Sequence, residues 1–150
     1  MNETITGQRT GSIDWTSDTA LAYAIFRLSF GINICFRGVM RIANGTDVFA
    51  GDLVKQFAAA PMPPALITPF GLVLPYIETL IGMLLILGLF TRPALVVGGL
   101  MMTALTFGTM LIQNFNLAVL QLTYSIAFFL LLAARSWNVI SLDSMLSKGR

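Results

Sequence analysis

The chain has 150 residues, of which 56% are hydrophobic and 11% charged; it has no histidine and one cysteine, and its mean hydropathy is +0.80. Soluble domains carry about 25% charged residues, and one of this length keeps too much surface in water to hide so much apolar chain. An ordinary soluble domain and a disordered chain are both excluded: this is a membrane protein.

The missing histidine removes Ser-His-Asp and Cys-His chemistry, His-ligated haem and any His-containing metal site within the chain. Cys35 stands alone, so neither a C-x-x-C dithiol nor an internal disulfide is open to it. The formal charge of +2 comes from scattered residues. No basic run, glycine-rich phosphate loop or RNA-binding aromatic pattern is present, so no nucleic-acid partner is expected. No covalent or metal-ligated cofactor is expected either.

Residues 1–19 are polar, lack the basic patch and apolar run of a secretory signal, and read as a cytosolic tail with Trp15 as an interfacial anchor. Four apolar stretches follow, at 20–42, 66–90, 93–112 and 115–134, each long enough to cross about 30 Å of hydrocarbon as a helix. Hydrocarbon offers the backbone no other hydrogen-bond partner, so they must be helical. Between the first two spans, Thr46 or Asp47 is placed to cap a short helix in which Phe49, Leu53 and Phe57 recur every four residues. That pattern suits a helix lying on the membrane surface, ended by Pro61-Met62-Pro63-Pro64. Thr91-Arg92 and Gln113-Asn114 are tight turns, and Pro93 suits a first helical turn. After Arg135 the chain, with Trp137 and Ser141-Leu142-Asp143, leaves the membrane. The expected architecture is an all-α integral-membrane four-helix bundle with a short interfacial helix between spans one and two. Its divisions are a tail at 1–19, a transmembrane domain at 20–143 and a tail at 144–150.

Arg9, Arg92, Arg135, Lys148 and Arg150 fall on one side, against Lys55 and the bordering Arg37 and Arg41 on the other. The positive-inside rule then places both termini in the cytoplasm of a cell inner (plasma) membrane.

An ionisable group in mid-bilayer costs about 2.5–3.5 kcal/mol on insertion scales, so it normally has a partner or a task. In the first span Arg27, Asn33, Arg37 and Arg41 share one helical stripe, with Gly31 and Gly38 beside it. A neighbouring helix can come close there. Glu78 is the acid placed inside the membrane; by helical rise its depth lies between Arg27 and Arg37, so either arginine can reach it. The pair either neutralises itself and fixes register, or marks a polar pocket between the first two spans that binds a quinone carbonyl or passes a proton. Pro75 frees a carbonyl near Gly71 and kinks the second span. Gly99, Thr103 and Thr106 form a small-residue face on the third. Gln121, Tyr124 and Ser125 of the fourth hydrogen-bond across the bundle, with Tyr124 able to touch a headgroup or ligand. Cys35, Met101, Met102 and Met110 read as packing residues.

The order Arg27, Gly31, Gly38, Arg41, then Glu78, Gly82, Gly88, Thr91 and Arg92, closing on Ser141-Leu142-Asp143, resembles the DoxX/DoxD family of small four-helix membrane proteins. The similarity runs from about residue 21 to 143 and is most specific between Glu78 and Arg92. It implies an inner-membrane bundle, in some members a subunit of a thiosulfate–quinone oxidoreductase. Where many members have His-Gly and then Lys, this chain has Arg37-Gly38 and then Arg41. A fixed positive charge for an anionic or quinone headgroup replaces any titrating histidine.

Two functions are therefore expected to compete. One is a redox-associated subunit of a bacterial-type membrane complex that contributes a quinone pocket from Arg27, Arg37, Arg41, Glu78 and Tyr124, with Gly31, Gly38, Gly82 and Gly99 as packing glycines. The other is an accessory subunit with no ligand site, held to other membrane proteins. A small-solute or ion pathway ranks third, since four short helices without a repeat leave little room for alternating access.

Overall fold

The computed structural model describes residues 16–148; the expectations for Trp15, Arg9 and Arg150 lie outside them. Helix α1, Asp18–Ala43, starts at Ser17, whose side chain accepts from the Ala20 N–H. Helix α2, Thr46–Gln56, is the short connecting helix, but neither Thr46 nor Asp47 caps it. The cap is Gly45 at φ +97°, a left-handed value that glycine adopts without steric cost and that lets the chain double back from α1. Helix α3, Pro64–Leu87, opens with Pro64 in its first turn and ends on Gly88 at φ +64°. Helix α4 is Thr91–Leu111. Helix α5, Phe115–Ala133, is capped by the Asn114 side chain. A 3-10 turn, Arg135–Trp137, leads to the short helix α6, Leu142–Lys148, which crosses the boundary expected at residue 143.

Helices α1, α3, α4 and α5 are long and apolar enough to cross a membrane, and among the described residues there is no strand. The protein is a multi-pass helical membrane protein. Side chains such as Phe129, Leu100 and Ile25 point outward, each more than 60% exposed. That is untenable in water over such an area and natural against lipid tails.

Lipid tails are as apolar as leucine, so close packing rather than a hydrophobic drive must join the helices. The tightest contact is α1 against α3. A Cβ on Gly38 would meet the Thr79 N and the Pro75 carbonyl, and one on Gly82 would meet the backbone of Cys35. One on Gly31 would lie 3.0 Å from the Ile86 N. Helix α4 meets α5 at Gly98, where a Cβ would run into the Phe128 ring. Gly99, the glycine expected at such a contact, is one residue out of phase: its nearest neighbour would be the Phe128 Cβ at 4.0 Å. Phe128 also packs edge-on against Phe30 at 4.8 Å between ring centroids, joining α5 to α1. Helix α2 lies on α3 through Ala50 and Gly71.

Candidate functional site

Glu78 is fully buried on α3 and takes two partners from α1. Arg37 Nη2 donates to its Oε1 at 3.0 Å and Arg41 Nη1 to its Oε2 at 2.5 Å. Arg37 and Arg41 are four residues apart, hence one turn apart on one face, so a single carboxylate on the facing helix receives both. Aromatic rings hold the guanidiniums from the other side: Tyr124 of α5 lies 4.9 Å from the Arg37 carbon and Phe49 of α2 lies 4.4 Å from that of Arg41. Tyr124 is itself fixed by donating to Asn33 Oδ1 at 2.9 Å. Four helices thus converge on one cluster of two cations and one anion, with a balance of one positive charge.

Beside this cluster lies a cavity of about 590 Å³, roofed by α2 and walled by the nearer halves of α3, α4 and α5. Arg37, Arg41 and Tyr124 reach its surface, as do Gln56 and Gln121; the rest is mainly Leu, Phe and Ile. Both arginine side chains are about a quarter exposed toward it (26% and 27%). Thr109, buried at its edge, donates to Gln121 Oε1 at 2.7 Å. The volume falls within the range of about 300–1,000 Å³ typical of small-molecule sites, and an apolar lining with a few placed polar groups is their usual character.

The site residues expected from the sequence divide between two places. Arg37, Arg41 and Tyr124 line the cavity, and Glu78 stands behind the arginines. Arg27 belongs elsewhere. It is buried toward the other end of the bundle, donating from Nη1 to Asn138 Oδ1 at 2.9 Å and from Nη2 to the Ile140 carbonyl at 3.0 Å. Its guanidinium fills the space that a Cβ on Gly88 would need. The expected choice of Arg27 or Arg37 as the partner of Glu78 is resolved as Arg37 with Arg41. The polar pocket expected between the first two spans, α1 and α3, is also displaced. Those helices touch backbone to backbone at Gly31, Gly38 and Gly82, which leaves no room for a ligand, and the open volume lies on the far side of the arginines.

Sequence reading missed the α2 roof and the α4 wall of this cavity. The period-four run Phe49, Leu53, Phe57 carried the signal for the roof, since all three line the cavity. The Ser-Leu-Asp ending proved to be structural. Asp143 accepts from the Phe90 and Thr91 N–H groups, each at 2.8 Å, at the start of α4, and its own N–H donates to the Gly88 carbonyl at 3.0 Å. Asn138 joins the same knot by donating to the Thr91 hydroxyl at 3.1 Å.

The model of one known family, methylamine utilisation protein MauE, matches residues 19–120. No curated protein and no solved structure matches the chain. The resemblance to DoxX/DoxD is therefore corrected. Much of what carried it serves helix packing and the α3–α4 turn: Gly31, Gly38 and Gly82 allow close approach, and Gly88, Thr91 and Asp143 build the turn. These are needs of a compact bundle and not marks of one family. With two thirds of its length matched, including Arg37, Arg41 and Glu78, the chain belongs to the MauE family of methylamine utilisation proteins.

Proposed function

We propose that this protein is an accessory membrane subunit of a methylamine-utilisation system. It sits in the plasma membrane with both termini cytoplasmic, associates with other membrane proteins and holds an apolar molecule with a polar end in the cavity beneath α2. One observation carries the reading: the MauE match spans residues 19–120 and takes in the Arg37–Glu78–Arg41 cluster and most of the cavity wall. With no histidine and one cysteine in the sequence, a binding or assembly role suits these side chains better than a reaction carried by this chain alone. Deleting the gene in its host should abolish growth on methylamine while leaving growth on a non-amine carbon source with ammonium intact, and the intact gene should restore it. Unimpaired growth on methylamine, or a host that does not use methylamine at all, overturns the proposal.

A second reading makes the cavity a quinone site. The Gln56 and Gln121 side chains beside an apolar volume favour it, because an amide can donate to a quinone carbonyl.

A further inference from the structure

The occupant of the cavity can be narrowed by charge. Glu78, one carboxylate, faces two guanidiniums. Lys55 and Asp52 on α2 pair with each other at the exposed surface, Lys55 Nζ donating to Asp52 Oδ1 at 2.9 Å, and neither lines the cavity. Among the described residues no acidic side chain lines it. One positive charge is therefore left at an apolar wall, where charge is least well solvated. Arg37 also keeps a buried Nε–H that donates to no group among the described residues.

The shape adds a second constraint. A smaller cavity of about 300 Å³, lined in part by the same Phe70 and Leu74, lies between α3 and α4 beside Val73, Ile77 and Val97. Val73 and Val97 are each about half exposed, so this second cavity is a groove open to lipid. Its α3 and α4 lining residues lie nearer the middle of the spans than those of the first cavity. Arg41 lies two residues from the end of α1 at Ala43, near the membrane border. A cation near the border with an apolar groove nearer mid-span matches the orientation of an amphiphile in one leaflet.

We propose that the cavity binds a single-chain anionic amphiphile, a long-chain fatty-acid carboxylate, with its carboxylate on Arg37 and Arg41 and its chain along the Phe70–Leu74 groove. The carboxylate supplies the missing negative charge and matches the planar donor fork of a guanidinium. A neutral quinone would leave the positive charge uncompensated. Phosphatidylglycerol carries the same sign of charge on a bulkier head with two chains, and direct competition separates it from a fatty acid. The inference rests on the cavity part of the proposed function and is independent of its methylamine part, so growth and binding experiments fail separately.

The test uses the purified full-length protein in phosphatidylcholine nanodiscs and a fluorescent fatty acid displaced by palmitate, hexadecanol, decylubiquinone or phosphatidylglycerol. Palmitate should displace the probe saturably, and the uncharged hexadecanol should bind about tenfold or more weakly, as expected for losing a charge-assisted contact. Arg37→Gln and Arg41→Gln should each weaken palmitate by a similar factor without changing the weak binding of hexadecanol. Gly108→Leu keeps the arginines and improves helix propensity, but its side chain enters the cavity toward Phe57, which already lies 3.1 Å from a Cβ at that position; it should block palmitate. Equal binding of palmitate and hexadecanol, tighter binding of decylubiquinone, displacement by phosphatidylglycerol alone, or no saturable binding overturns the proposal. So does unchanged palmitate binding in the folded variants. If the arginine variants fail to fold, the palmitate–hexadecanol comparison on the native protein still decides it.

Discussion

Glu78 carries an unequal share of the cluster it belongs to. Each arginine that loses its carboxylate keeps an aromatic ring and partial exposure, whereas Glu78 has no exposure and, among the described residues, no hydrogen-bond partner besides the two guanidiniums. Removing one partner of a buried pair costs about 3–5 kcal/mol because the other is left uncompensated, and the partial exposure of the arginines puts this site at the lower end. Glu78→Gln should therefore destabilise the protein by about 3 kcal/mol. Arg37→Gln and Arg41→Gln should each cost less, since the carboxylate keeps one partner. Thermal unfolding in detergent should rank the three in that order, and equal losses would show that the three residues act as a single unit, the loss of any one member costing the whole cluster. The sequence exposed both the acid and the basic stripe, because charge inside apolar runs is conspicuous. It did not reveal which arginine meets the acid. Helical rise leaves Arg27 and Arg37 equally near, and what decides is Asn138 and the Ile140 carbonyl, more than a hundred residues away, which occupy Arg27.

At the scale of elements, the α1–α3 contact is the one with least tolerance. Its atoms are backbone, which cannot rotate away. Gly82→Ala would place a methyl group against the Cys35 N and Cα, so α1 and α3 must separate, and the Arg–Glu78 pairs that bridge them must stretch. Gly51 on α2 is the matched control, with nothing within 4 Å of a Cβ built there. Gly51→Ala should be neutral or stabilising by up to about 1 kcal/mol through helix propensity, while Gly82→Ala should lose monodisperse folded protein in size-exclusion chromatography. A well-folded Gly82→Ala protein would mean that the two helices are less closely apposed. The four spans were legible to within three residues at their ends, because length and apolarity alone identify them in lipid. The cap of α2 was not. Side-chain chemistry pointed to Thr46 or Asp47, and backbone conformation made Gly45 the answer. The cavity was equally hidden, since it depends on how far α4 and α5 stand from α2, and no period within one helix encodes that distance.

The whole molecule is closed at one end and open at the other. Toward α2 the helices part around the cavity; toward the termini the segment after α5 folds back and ties α1, the α3–α4 turn and α6 together through Arg27, Asn138 and Asp143. This knot joins the ends of α3 and α4 that lie away from the cavity. Burial by itself would raise the Asp143 carboxyl; the Thr91 backbone and side chain, the Phe90 N–H and the Arg27 charge outweigh it and hold the group below its ordinary value. The folded state therefore favours the carboxylate. Its contribution is fully present above the ordinary carboxyl range and is lost as the pH falls through the lowered folded value. Hydrogen exchange at the Phe90 and Thr91 amides should be slow at neutral pH and lose protection only as the pH falls below the ordinary carboxyl range. Asp143→Asn should remove the pH dependence and leave these amides less protected at neutral pH, with the middle of α1 and α3 unchanged. Equal protection in Asp143→Asn at neutral pH would show that the closed end does not depend on the carboxylate. A loss that spread to the amides around Glu78 would show instead that the two ends of the bundle are coupled, and that the cavity is held open by the knot at the opposite end.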